Sequence, residues 1–184
     1  MFNQTLHVEH LIKNTKMKGK PTTTEQQKIR KKMSIGLRRL IRGEDMKLDN
    51  YERNQILRHI FLSRTDLREY IEHQFVEGMN WEKYCNEWEI DHIAPASLFD
   101  LTNKEDMKLC YHYLNLMPLW RKDNVTKANS LYYCKIELEK RLKILPSNTI
   151  LKLIKEKVDK EEDMIHTYSY DLEFLKFYNR VNYH

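Results

Sequence analysis

Glycine and proline are scarce, with four of each among 184 residues, about a third of average usage. That scarcity excludes an all-β sandwich rich in tight turns, a collagen-like repeat and a Gly/Ser linker, and it predicts a largely helical chain. Long apolar runs are missing as well, since none approaches the roughly 18 residues a membrane helix requires. The first nine residues lack the basic-then-apolar order of a secretory leader. These absences predict a soluble, intracellular protein with no membrane partner. Cysteine is sparse: Cys85, Cys110 and Cys134 are odd in number and form no Cys-x-x-Cys pair. Neither a disulfide framework nor a structural zinc is expected, and three free thiols are.

Apolar material suffices for a core, at 41% hydrophobic and 11% aromatic, which excludes wholesale disorder. Acidic residues are nearly absent from one segment. Between Lys13 and Arg42 there are eleven basic residues, Lys31, Lys32, Arg38 and Arg39 among them, and one acid, Glu25. The segment carries +10 and leaves −5 for the rest of the chain. Such a block fits an arm that tracks phosphates, and charge alone fits a solvated helix face equally well.

Periodicity predicts where helices lie. Ile29, Met33, Leu37, Leu40 and Ile41 recur at three- and four-residue steps and define an amphipathic helix from Thr24 to about Gly43. Ile56, Leu57, Ile60 and Phe61 mark a second. Asp66 with Glu69 reads as a capping box opening a third, which Gly78 would end. Residues 79–122 hold all three tryptophans and two short strand-like runs, Trp88-Glu-Ile-Asp-His-Ile-Ala-Pro95 and Leu114-Asn-Leu-Met-Pro-Leu-Trp120. Helical pattern returns from Asp123 to about Leu145, where Pro146 breaks it, and again over Thr149–His166 and Tyr170–Arg180.

The chemistry-bearing residues cluster in the strand-like region. Asp91 and His92 are adjacent, and adjacent strand residues point to opposite faces, so they share one site only where the strand ends. Asn124 falls where the second strand gives way to a helix, with Lys127 one turn on. A carboxylate and an amide oxygen suit a hard divalent cation such as Mg²⁺, and an imidazole beside it suits a base for water attacking phosphorus.

On these residues the chain resembles the HNH endonuclease family. The Asp-His pair, the Asn115-Leu-Met-Pro-Leu119 strand and the Asn124-x-x-Lys127 helix start carry the likeness. It extends to Leu67–Phe75, Gly78–Trp81 and Phe99–Thr102, as in phage and large-DNA-virus members. The resemblance implies an α+β, predominantly helical fold with a ββα-metal module flanked by helices. Residues 1–75 would be a basic helical DNA-binding region, 76–145 the nuclease module and 146–184 a helical extension.

It further implies His92 as general base, Asp91 and Asn124 as ligands of one Mg²⁺ (or Mn²⁺), and Asn115 as the residue that holds the hairpin loop. Lys127 would contact phosphate, with Lys31, Lys32, Arg38 and Arg39 gripping double-stranded DNA. Asn124 stands where the family name has a histidine, which bears on metal preference.

Other readings accompany these. His112 either touches substrate or packs, Asp100 braces the hairpin, and the tryptophans form core. The segment 78–130 nets −2, so the module would need the basic helix for affinity. An ordinary imidazole at position 92 predicts activity falling below about pH 6.5. A homodimer is left open, and the alternative function is a non-catalytic nucleic-acid-binding protein that keeps the nuclease fold.

Overall fold

The apolar stripe of the basic segment folds as expected, into helix α1 (Thr24–Arg42), which buries Met33, Gly36, Leu37, Leu40 and Ile41. Arg39 and Arg42 lie in its last turn, where cations complement the helix dipole, and Gly43 follows at a φ of 74°. The computed structural model describes residues 24–44, 47–127 and 131–162. The expected arm over 1–21 and the helix over 170–180 lie outside them.

Helix α2 (Asn50–Ile60) is capped by Asp49, whose side chain accepts from the Glu52 N–H at 2.7 Å. Helix α3 (Arg64–Glu72) begins three residues earlier than the capping-box reading placed it. Ser63 is the cap, accepting from the Asp66 N–H and donating its hydroxyl to the Asp66 carboxylate at 2.8 Å. Asp66 is therefore the partner of the cap. The helix also stops at Glu72, well before Gly78.

An aromatic cluster leads into the strands. Trp88 is fully buried, its ring centroid 5.0 Å from Phe75, 5.2 Å from Trp81 and 4.9 Å from Tyr84. Its indole N–H donates to the Asn80 carbonyl at 2.7 Å, so burial leaves no orphan donor. Strand β1 (Trp88–His92) pairs antiparallel with β2 (Leu116–Trp120), with Trp88 opposite Trp120 and His92 opposite Leu116.

The connection between the strands holds helix α4 (Lys104–Tyr111), which the strand-like reading of 79–122 passed over. Its signal was present: Asn103 caps it by accepting from the N–H groups of Glu105 and Asp106. Helix α5 (Arg121–Lys127) follows β2 directly, then α6 (Leu131–Ile144) and α7 (Thr149–Glu162). The structure is thus mostly helical, with seven α-helices and one two-stranded antiparallel sheet among the described residues.

Buried apolar residues from Met33 to Val158 form one cluster, so α1 and α7 share a core with the strands. Arg141 of α6 ties that core laterally, donating to the Tyr70 hydroxyl, the Gln74 side chain and the Leu114 carbonyl. Lys157 of α7 pairs with Asp106 of α4 at 2.6 Å. No helix among the described residues is long and apolar enough to cross a membrane.

Helices α1 and α2 cross tightly at Gly36, where an added Cβ would lie 2.2 Å from Ile56 Cδ1. Gly36→Ala is expected to destabilise by about 1–2 kcal/mol in urea denaturation, although Ala gains about 1 kcal/mol of helix propensity over Gly. Ile56→Val, which removes Cδ1, is expected to relieve most of that loss in the double variant. An alanine that stabilises the native background would refute the tight crossing.

Candidate active site at the end of strand β1

Asn115 is fully buried and organises the place where the strands begin to separate. Its Oδ1 accepts from the Ala94 N–H at 2.9 Å, and its Nδ2 donates to the carbonyls of Ala94 at 3.2 Å and Cys110 at 2.9 Å. Its backbone carbonyl accepts from the Ile93 N–H at 2.8 Å. Cys134 of α6 adds a thiol donated to the Ile93 carbonyl. The backbone just beyond His92 is therefore fixed from three sides.

His92 is the last residue of β1, where the alternation of faces ceases to constrain its neighbours. Its ring lies edge-on to Tyr111 of α4, centroids 5.1 Å apart. Nε2 is buried and has no hydrogen-bond partner among the described residues. Burial pushes the imidazole down to about 4; nearby Asp91 opposes this, while Lys127 and Arg30 add to it. The ring is thus neutral well below pH 6.5. The acid limb expected of an ordinary histidine moves down accordingly.

Helix α5 docks on β1 through two polar contacts. Asn124 donates its amide to Glu89 at 2.7 Å, and Lys127 pairs with Asp91 at 2.5 Å. Glu89 and Asp91 are two apart on the strand and share its face, while Asn124 and Lys127 are three apart on the helix. Sequence reasoning missed Glu89; its signal was the i, i+2 relation to Asp91. Lys127 departs from expectation. Its side chain is 1% exposed, donates also to the His92 carbonyl, and lies over the Tyr133 ring, so it does not reach out to phosphate. The reason is local: Asp91 offers it a counter-charge within the fold.

Asp91 and Glu89 on β1 and the Asn124 amide on α5 carry hard oxygen atoms, and Lys127 engages only Oδ2 of Asp91. Oxygen atoms of this kind are the donor type that a hard divalent ion takes. Among the described residues no group of three or more His, Cys, Asp and Glu is arranged to hold a metal, and the three cysteines are free.

His112 is a packing residue here. It stacks on Phe61 at 4.9 Å, and its Nδ1 accepts from the Leu114 N–H. Asp100 braces the connection by accepting from Thr102 and from Gln26 of α1 at 2.9 Å. On α1, Lys31 and Arg38 are exposed, Lys32 pairs with Glu52 at 3.1 Å, and Arg39 is half-buried. A cavity of about 510 Å³ lies elsewhere, between β2 and α6, lined by Met117, Trp120, Tyr133 and Ile144 and by neither Asp91 nor His92.

No family model matches this chain, and no solved structure does. It is similar to two uncharacterized proteins of Acanthamoeba polyphaga mimivirus. One is 31% identical over 144 residues, covering 74% of this chain and 60% of its own length. The other is 37% identical over 75 residues, covering 41% of this chain and 33% of its own length. The chain thus spans between a third and three-fifths of these relatives.

The buried histidines set a pH dependence of stability. His112 is pushed down to about 4 by desolvation, whereas in the unfolded chain it titrates near 6.5. The unfolded state therefore binds the extra proton between those values. Stability is full above about pH 6.5 and falls as the pH drops toward 4. Denaturation at pH 4.5 should show about 2–3 kcal/mol less stability from this group than at pH 7. His112→Asn should flatten that part of the slope, and an unchanged slope would contradict the assignment.

Proposed function

We propose that this chain is a metal-dependent DNA endonuclease of the HNH type, built on a ββα-metal module. The observation that carries the reading is the Asn115 clasp. A single buried amide fixes the chain beyond β1 and so presents a neutral imidazole with a free Nε2 next to Asp91. A base for water needs that protonation state and a lone pair that no protein donor occupies. The succession of β1, β2 and α5, with Asn124 and Asp91 on facing elements, matches the order the resemblance implies. The likeness to mimivirus proteins supports a viral origin.

Asp91 and Asn124 would hold one Mg²⁺, or Mn²⁺ in its place. Bound there, the ion supplies positive charge against the charge that builds on the phosphate and on the leaving 3′ oxygen. His92 takes a proton at Nε2 from water as the water oxygen bonds to phosphorus, and the bond to the 3′ oxygen breaks. Asn115 keeps the imidazole in place through Ala94. The exposed bases of α1 supply the backbone attraction that a module with net −2 lacks.

The pairing of Lys127 with Asp91 favours one alternative. An ammonium already neutralises the carboxylate expected to bind metal, as it would in a nucleic-acid-binding protein that keeps the fold and has no activity. Plasmid cleavage separates the two. With Mg²⁺ or Mn²⁺ the wild type should convert supercoiled DNA to open circles, and His92→Ala should slow this by about 10² to 10⁴ with binding intact. Salt-sensitive binding by both proteins without cleavage would establish the alternative.

The role of α1 is tested separately. Neutralising Lys31, Lys32, Arg38 and Arg39 together should weaken binding to all sequences alike and flatten the dependence of log Kd on log salt by up to about 3. An unchanged slope would remove α1 from the DNA interface.

A further inference from the structure

Helix α1 does more than lie on the surface near the module. Four residues at successive four-residue steps, Gln26, Arg30, Ser34 and Arg38, form one stripe along it. Gln26 is hydrogen-bonded to Asp100 in the connection beyond β1. Ser34, two turns on, adjoins the hydroxyl of Tyr111, whose ring is the one packed edge-on against His92. Arg30 lies between these two anchors, and so on the side of α1 that faces the end of β1. Arg38 continues the stripe toward Tyr84, at the other end of the strand.

Arg30 is exposed, and no hydrogen bond or ion pair among the described residues occupies its guanidinium. The surrounding acids are already engaged: Asp91 by Lys127, Asp100 by Gln26 and Thr102, and Asp106 by Lys157. An unoccupied fork of N–H donors whose charge is felt at the His92 ring is complementary to two oxygens of one phosphate.

We propose that Arg30 is a substrate-binding residue of this site, whose guanidinium clamps the DNA phosphate presented to His92. The inference rests on the nuclease reading for its substrate. It makes α1 one wall of the active site as well as a grip on the backbone. Sequence reasoning counted Arg30 among the basic residues without singling it out, because nothing in the periodicity says which stripe of a basic helix faces His92.

The test uses the full chain and two readouts. The first is single-turnover cleavage of a short duplex at saturating DNA, for wild type, Arg30→Ala, Arg30→Lys and the remote charge control Lys152→Ala. Arg30→Ala should lose about 10² to 10³ in rate, with Kd weakened less than about tenfold. Arg30→Lys should fall between, and Lys152→Ala should match wild type. An Arg30→Ala that changes Kd alone overturns the proposal.

The second readout needs no cleavage. NMR signals of the His92 ring, recorded without metal, should shift when the duplex is added to wild type and to Lys152→Ala but not to Arg30→Ala. An equal shift in Arg30→Ala, or none in wild type, overturns the proposal. A wild type that never cleaves, yet shows an Arg30-dependent shift, sinks the nuclease reading and leaves the phosphate site standing.

Discussion

The geometry at the end of β1 depends on one buried amide. Asn115 satisfies both backbone groups of Ala94 and the carbonyl of Cys110, while its own carbonyl takes the Ile93 N–H. Residues 93–115 leave the sheet and return to it, and this amide closes them at the neck. Each hydrogen bond contributes only about 1 kcal/mol net, but each backbone group stranded in the core would cost about 1–3 kcal/mol. The clasp is therefore all-or-none in character. With the clasp closed on Ala94 and on Cys110 of α4, His92 is held where β1 ends.

The docking of α5 follows a related constraint. Three residues of helix advance about 4.5 Å and two residues of strand about 6.6 Å. Two contacts can therefore match only if one side chain is long enough to absorb the difference. Asn124 reaches Glu89 directly, and Lys127, with its four-carbon stem, covers the remainder to Asp91. A buried ion pair adds little net stability once both charges are desolvated. Its contribution here is register: it sets how far along β1 the helix sits, and so where Asn124 stands relative to Asp91.

These cases also show what a sequence discloses. The stripe of α1, the strand pair and the helices from Leu131 onward follow from periodicity and breakers, which are local. The strand-end position of Asp91 and His92 was legible because Pro95 follows closely. Helix α4 was legible in Asn103 and the acids after it, but aromatic and β-branched neighbours on either side masked it. The cap of α3 was displaced by three residues because Ser63 and Asp66 both suit the role, and only the backbone distinguishes them. The partner of Lys127 lies 36 residues away, and the helix face on which Arg30 lies depends on how α1 packs. Such choices are made by tertiary contact, and no spacing rule contains them.

On the nuclease reading, the charge distribution poses a problem that the fold resolves locally. A site for a polyanion carries Glu89, Asp91 and Asp100 within a module whose net charge is negative. Each of those carboxylates already has a donor on it: Asn124 on Glu89, Lys127 on Asp91, and Gln26 with Thr102 on Asp100. Lys127 offsets the charge of Asp91 and Arg121, 3.8 Å from Glu89, offsets that of Glu89, while the neutral donors on Asp100 leave its charge in place but reduce how strongly it projects. The repulsion that remains is met by Arg30 and Arg38 on the same stripe of α1, whose charge is not consumed by partners within the described fold. The acids can then be retained for metal and geometry while attraction for the DNA backbone comes from α1, because the two tasks fall to different elements, β1 with its connection and α1.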